Sequence, residues 1–230
     1  MREAAILMAA GLGTRMRPIT ESIPKPLVPV KGKPMIETVI EGLLSRNVEE
    51  IYVVTGYLKE QFMYLPEKYS QVRLIHNPDY AVKNNISSIY AARDVLDLGN
   101  CFICESDLYI ADTSLFEKDL THSCYFAKWR EGYTDDWVFT VDKGRIVRVG
   151  KGGKDTYQMV GIAYFMQAEA RMLKEAIQQA YDKEENKDLF WDDVVDRNLD
   201  RLPLKVELIK EGQLVEIDTV EELEKINESI

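Results

Sequence analysis

The stretch AAILMAAGLGTRMRPITESIPKPLVPV, from Ala4 to Val30, sets the strongest limit on what this chain can fold into. Ile6–Ala9 is uniformly apolar and reads as a strand buried on both faces, the kind found inside a parallel sheet. It runs straight into Gly11-Leu12-Gly13-Thr14-Arg15. In an α/β fold such a loop lies at the carboxyl end of the sheet, where ligands bind. Glycine permits positive φ and close backbone approach, and successive N–H groups there can cradle phosphate. By itself, G-x-G after a strand fits a plain tight turn equally well. The P-loop pattern is absent, and Met16 stands where a dinucleotide fingerprint needs its third glycine.

Charge separates these readings. Arg15 and Arg17 follow the glycines, and Lys25 lies between Pro24 and Pro26, which stiffen its backbone. Residues 1–35 hold Arg2, Arg15, Arg17, Lys25, Lys31 and Lys33 against only Glu3 and Glu21, in a chain of formal net charge −10. A basic patch on an acidic body points to a small anionic ligand. The overall acidity argues against a nucleic-acid polymer or an anionic membrane surface as partner.

Beyond the loop, strands and helices alternate. PMIETVIEGLLSRN has helical spacing with Pro34 at its start. EIYVVTG is a second strand, LKEQFMYLPEKY a helix to about Pro66, VRLIHN a third strand, NISSIYAARDVL a helix that Asn85 can cap, and NCFICESD a fourth strand. The order predicts an α/β fold, a Rossmann-like, mostly parallel mixed sheet flanked by helices. SCYFAKW, DWVFTVDKGRIVRVG and YQMVGIAYFM then read as strands, with Lys143-Gly144 as a hairpin turn. They form a small β-rich, substrate-binding addition near residues 122–165. Helices at about 168–183 and 190–199, strands in LKVELIKEGQLVEI and a helix in VEELEKINES complete the pattern.

A chain of 230 residues that is 46% hydrophobic can build a sizeable core, and residues 1–230 are expected to form one domain. No apolar run approaches the roughly 20 residues needed to span a bilayer. Glu3 sits where a signal peptide needs basic charge, so a cytoplasmic location is expected. Cys101 and Cys104 stand three apart on a strand and so face opposite sides, which disfavours a redox or metal pair. His76 and His122 form no recognisable nucleophile triad. The oligomeric state is not legible.

Taken together, LMAAGLGTRMRPITESIPKPLVPVKGKPMIE, EIYVVTGYLKEQF, NNISSIY, ESD and EIDTVEEL resemble the nucleotidyltransferases that join a nucleoside triphosphate to a phosphorylated small molecule. Within that family the chain looks most like the bacterial CTP:phosphocholine cytidylyltransferases. The resemblance implies in-line attack by the phosphate of phosphocholine on the α-phosphate of CTP, giving CDP-choline and pyrophosphate. It implies that Ala9, Ala10, Gly11, Gly13 and Arg15 hold the nucleotide phosphates, with Asn84, Asn85, Ser87 and Ser88 near the base. It makes Asp107 and Asp218 ligands of Mg²⁺, and Arg15, Lys25, Asp107 and Asp218 the catalytic set. Lys25 and Arg130 would hold the acceptor phosphate.

Asp218 carries a competing reading, because both Asp218/Glu221 and Thr219/Glu222 fit a helix-capping box. Only if Thr219 caps is Asp218 free to face a metal. Glu105 stands where family members often have aspartate, so the resemblance assigns it no role. Trp137 and Trp191 stand beside the acidic pairs Asp135/Asp136 and Asp192/Asp193. With the resemblance, Tyr133, Trp137, Trp191 and Asp192 are expected to cage the quaternary ammonium of choline. A phosphate monoester, with its second pKa near 6, is largely dianionic at neutral pH, so no catalytic base is required. The alternatives are phosphoethanolamine or 2-aminoethylphosphonate as acceptor, a sugar-1-phosphate nucleotidyltransferase, and a non-catalytic nucleotide sensor. A pocket with more carboxylates than aromatics would favour a primary-amine acceptor.

Overall fold

A computed structural model describes residues 2–228. In chain order its strands and helices are β1 (Glu3–Ala9), β2 (Pro29–Val30), β3 (Lys33–Pro34), α1 (Met35–Ser45), β4 (Glu50–Thr55), α2 (Leu65–Lys68), β5 (Val72–His76) and α3 (Ile86–Ala91). There follow β6 (Asn100–Glu105), β7 (Leu108–Ile110), β8 (Cys124–Asp142), β9 (Arg145–Phe165), α4 (Gln167–Tyr181), α5 (Trp191–Asp196), β10 (Lys205–Leu208), β11 (Leu214–Glu216) and α6 (Val220–Glu228). Seven strands form one sheet in the order β10-β8-β9-β6-β1-β4-β5. β1 pairs in parallel with β4 and β6, β4 with β5, and β8 with β10, while β9 is antiparallel to both β6 and β8. This is the mostly parallel mixed sheet expected from the sequence.

The period-two alternation of β1 explains its unbroken hydrophobicity. Ala4, Ile6 and Met8 pack into one core with Ile89 of α3, Leu173 of α4 and Val194 of α5. Ala5, Leu7 and Ala9 pack into the other with Ile36, Val39, Ile40 and Leu43, the apolar stripe of α1. Cys101 lies in the first core and Cys104 in the second, both as free thiols. α1 ends where Asn47 takes a left-handed conformation (φ 66), and the Val48 N–H closes on the Leu43 carbonyl at 3.1 Å.

Two helices are shorter than the sequence suggests. LKEQFMYLPEKY gives a 3₁₀ turn at Lys59–Phe62 and then α2, with Pro66 in its first turn. Proline has no N–H for an interior helical bond, so it begins a helix better than it continues one. NISSIYAARDVL breaks at Ala92 into α3 and a 3₁₀ segment, Arg93–Asp97. Asn85 makes no side-chain cap. Its Oδ1 accepts the backbone N–H of Trp191 at 3.0 Å instead, tying α3 to α5.

The β-rich region is an uninterrupted ribbon. β8 and β9 join through Lys143 (φ 47) and Gly144 (φ 76), the pair of left-handed residues that a type I′ hairpin turn requires. YQMVGIAYFM is the final part of β9, not a separate strand. Val138 registers with both Gly150 and Gln158, so the outer half of the ribbon folds back over β9. β11 pairs antiparallel with β7, and the Ile217 N–H reaches the Asp107 carbonyl at 3.2 Å. That contact delivers the C-terminal acidic segment to the end of β6. Among the described residues no helix is long and apolar enough to cross a membrane.

Phe102 of β6 is fully buried, edge-on to Phe116 and tilted against Tyr164, with centroids 5.8 and 4.7 Å away. Phe102→Ala is expected to cost about 3–5 kcal/mol of unfolding free energy, measured by urea denaturation. A loss below about 1 kcal/mol would contradict this account of the second core.

Candidate active site

The carboxyl ends of β1 and β6 open onto a cavity of about 270 Å³ lined by Ala9, Ala10, Gly11, Gly13, Arg15, Lys25, Asn85, Ser88, Glu105 and Asp107, among others. Gly13 is left-handed, and a Cβ there would lie 2.9 Å from Lys25 Cβ and 3.1 Å from Thr20 Cγ2. Only glycine meets both demands. Thr20 Oγ1 donates to the Gly13 carbonyl at 2.8 Å and fixes the turn. A Cβ at Gly11 would meet nothing within 4 Å, so this backbone is bare toward the cavity.

Lys25 is 8% exposed. Its Nζ donates to Asp107 Oδ2 at 2.7 Å and to Asp218 Oδ1 at 2.6 Å. Arg15 grips Asp218 with both terminal nitrogens, each at 2.7 Å. Burial alone would lower the Lys25 pKa, but the charges and hydrogen bonds of Asp107 and Asp218 outweigh it, and the net shift is upward. The ammonium is therefore held charged.

The capping question is settled locally. The Glu222 N–H donates to Thr219 Oγ1 at 3.2 Å, and Glu222 Oε2 accepts the N–H groups of Thr219 at 3.0 Å and Asp218 at 2.7 Å. Thr219 and Glu222 form the box, which leaves the Asp218 carboxylate for Lys25 and Arg15.

Asp107, Glu216 and Asp218 each place a carboxylate oxygen within 4.8 Å of the others. Asp107 Oδ1 is buried and, among the described residues, has no hydrogen-bond partner. An orphaned buried oxygen in an oxygen-only donor set fits a hard divalent ion. Glu216 is not among the residues singled out from the sequence. E-x-D in VEID was the available signal, since residues two apart on a strand share a face. Burial and the charges of Asp107 and Asp218 push the Glu216 carboxyl up to about 7.

A second cavity of about 740 Å³ adjoins the first beneath the β8–β9 ribbon. Arg15, Asn85, Glu105 and Asp107 line both. Its walls include Lys128, Arg130, Asp135, Asp136, Trp137, Lys151, Gln158, Phe190, Asp192 and Glu216. Trp137 meets Phe190 edge-on at 5.4 Å, and Lys151 Nζ sits 5.1 Å from the Phe190 ring centre. Phe190 was also missed, although it directly precedes Trp191 in LFWDD.

The structure thus brings Arg15, Lys25, Asp107 and Asp218 together and places Arg130, Trp137 and Asp192 on the second cavity. Trp191 lines neither cavity. It is 3% exposed and stacked on Tyr125 at 5.7 Å within the core, its indole Nε1 without a partner among the described residues. Tyr133 is 64% exposed, also off both linings, with its hydroxyl donating to Asp135 at 2.9 Å. Ser87 and Ser88 are buried and accept from Asn77 Nδ2 at 2.9 and 3.2 Å. Asn84 Nδ2 donates to the Asp188 carbonyl at 3.1 Å. His76 and His122 line neither cavity.

A profile of the MobA-like NTP transferase domain matches residues 5–189. The chain is 53% identical over 220 residues to a 2-aminoethylphosphonate cytidylyltransferase of Lancefieldella rimae, covering 95% of this chain and 89% of that protein. It is 38% identical over 225 residues to a choline-phosphate cytidylyltransferase of Streptococcus pneumoniae, covering 97% and 96% respectively. Among solved structures, CTP:phosphocholine cytidylyltransferase from S. pneumoniae superposes with a TM-score of 0.91 at 36% identity over 99% of both chains. The resemblance drawn from the sequence is borne out as a family relationship.

Burial pushes the Asp192 carboxyl from 3.8 up to about 7, against the opposing hydrogen bond from the Tyr125 hydroxyl at 2.9 Å. Between about pH 4 and about pH 7 the unfolded chain has lost this proton and the folded chain keeps it. Stability from this group therefore falls as pH rises, at most by about 1.4 kcal/mol per pH unit. Asp192→Asn should make the decline of urea-unfolding free energy across this window shallower than in the wild type. An identical slope would show that Asp192 is ionised in the fold.

Proposed function

The chain belongs to the MobA-like NTP transferase family and within it is a cytidylyltransferase; from that premise we propose that its acceptor is 2-aminoethylphosphonate. One observation carries the choice. Apart from Asp107, Glu216 and Asp218 of the acidic triad and Glu222 of the helix cap, the second cavity is lined by four carboxylates, Glu105, Asp135, Asp136 and Asp192, against two aromatic side chains, Trp137 and Phe190. A primary ammonium offers three N–H donors, and carboxylates accept them. The 53% identity to a 2-aminoethylphosphonate enzyme supports the same acceptor. Phosphocholine, the acceptor expected from the sequence, is the second reading. The Trp137–Phe190 corner favours it, because aromatic faces are what a quaternary ammonium can use.

In this reading the triphosphate of CTP lies along Ala9–Gly13, whose backbone it approaches closely because Gly11 carries no side chain. Arg15 and Lys25 turn from their carboxylates toward the phosphates. An oxygen of the acceptor phosphonate attacks the α-phosphorus in line. A new O–P bond forms, the bond between α-phosphorus and bridging oxygen breaks, and pyrophosphate carries away the electron pair. The dianionic nucleophile has no proton to lose, which fits a site lacking histidine. Repulsion between the anions is the main obstacle, and fixed positive charge lowers it. Asp107, Asp218 and Glu216 would hold Mg²⁺, which when bound neutralises phosphate charge. Arg130 and Lys128 stand on the acceptor side to hold the phosphonate, while Asn85 and Ser88 face the first cavity near the base.

Pyrophosphate release from CTP, measured with a panel of acceptors, is expected to give the highest kcat/KM with 2-aminoethylphosphonate. A preference for phosphocholine would replace that acceptor with the second reading. Lys25→Ala should reduce kcat at least about a hundredfold with the preferred acceptor. A near-normal rate would remove Lys25 from the chemistry.

A further inference from the structure

We propose that Glu105 is the specificity-determining residue for the acceptor's amine end, receiving the N–H groups of a primary ammonium carried two carbons from the reacting phosphorus. This rests on the reading that the acceptor is a primary amine. Four side chains stand on the seam between the two cavities, Arg15, Asn85, Glu105 and Asp107. Three are engaged within the protein: Arg15 with Asp218, Asp107 with Lys25, and Asn85 with the Trp191 N–H. Glu105 differs. Among the described residues its carboxylate makes no hydrogen bond within 3.5 Å and no ion pair within 4.0 Å.

Its position is braced. Glu105 is the last residue of β6, in register with Met8 of β1. Gly161 of β9 has φ +75, and a Cβ there would lie 2.9 Å from Glu105 Cγ. The β9 backbone therefore packs directly against the glutamate stem and keeps the carboxylate at the seam. The other acids on the acceptor side each already accept a hydrogen bond within the protein. Asp192 accepts from Tyr125, Asp136 from Gln158 and Thr134, and Asp135 from Tyr133. Glu216 belongs to the triad with Asp107 and Asp218, which does not include Glu105.

Reach supports the match. Two residues of extended chain span at most about 7 Å, so Glu105 stands close to the Asp107 end where the phosphonate must react. A two-carbon amine fits that span. The Glu105 carboxylate is part-buried and has no cation bonded to it among the described residues, so an acceptor bringing an ammonium into the seam supplies the missing counter-charge. A trimethylammonium brings the charge but no N–H, so the hydrogen-bonding part of the gain is specific to the primary amine.

The test uses the full chain with CTP and Mg²⁺, comparing wild type, Glu105→Gln and Glu105→Asp. Glu105→Gln should raise KM for 2-aminoethylphosphonate by about tenfold or more, the usual scale for losing a charged hydrogen bond. Its kcat should fall by less than that, KM for CTP should stay within about twofold, and KM for phosphocholine should change least. Glu105→Asp, which keeps the charge but shortens the stem, should lie between. An unchanged 2-aminoethylphosphonate KM, or an equal rise in the CTP KM, overturns the assignment while leaving the acceptor reading intact. A wild type that favours phosphocholine overturns both. Should Glu105→Gln fail to fold, the wild type alone decides with N-methylated 2-aminoethylphosphonates. KM should climb as each N–H is replaced, and a flat series rejects the proposal.

Discussion

One buried ammonium organises the reactive end of this protein. Lys25 joins Asp107 and Asp218, residues from two other parts of the chain, through contacts of 2.7 and 2.6 Å. Both carboxylates, with Glu216, crowd within 4.8 Å of one another, an arrangement that repels itself without positive charge between its members. Burying the lysine is unfavourable by itself, and the two carboxylates more than reverse this, as the upward shift of its pKa shows. Removing one partner from such a buried pair typically costs about 3–5 kcal/mol, because the survivor is left uncompensated. The glycine loop, the C-terminal acidic segment and the end of β6 are thus held together by the same few charges.

That constraint rests on ordinary packing. Met16, Val28, Val30, Met35, Ile217 and Leu223 form a small core that ties the Lys25 loop to the segment carrying Asp218 and to α6. The antiparallel pairing of β11 with β7 sets the register of that segment, and the Thr219–Glu222 box starts α6 without using Asp218. Hydrophobic burial brings these pieces together, and hydrogen bonding decides which carboxylate is left for the ammonium. The β8–β9 ribbon then folds over the second cavity, on whose wall Asp192 is buried while Asp135 and Asp136 stay exposed. Burial takes the Asp192 carboxyl to about 7. A cleft so acidic suits a ligand that is anionic at one end and cationic at the other.

Much of the frame was legible because it depends on neighbouring residues. The apolar run before Gly11, the helical stripe of α1 and the Lys143-Gly144 turn express backbone preferences within a few positions. The helix lengths around Pro66 and Ala92 were less legible, and so was the fold-back of the ribbon. In the site, Arg15, Lys25, Asp107 and Asp218 were visible as a set only through a long family signature. Phe190 and Glu216 went unseen beside more conspicuous neighbours. The tryptophans were the hardest to place. Trp137 and Trp191 both stand next to acidic pairs, yet Trp137 lines the cavity and Trp191 packs beneath Tyr125 and Phe165.

The sequence by itself determined an α/β sheet with a glycine loop and positive charge at its rim, and its family signature marked Asp107 and Asp218 as acids for that rim. Periodicity and turn chemistry are local, so they survive without coordinates. Only the tertiary structure decided that Thr219, not Asp218, caps α6. It also decided that Glu216 joins the acidic triad, that Trp191 is core, and that Glu105 stands, among the described residues, without a partner between two cavities. Each of these depends on which distant group supplies a hydrogen bond or excludes water, and the linear order of residues does not contain that information.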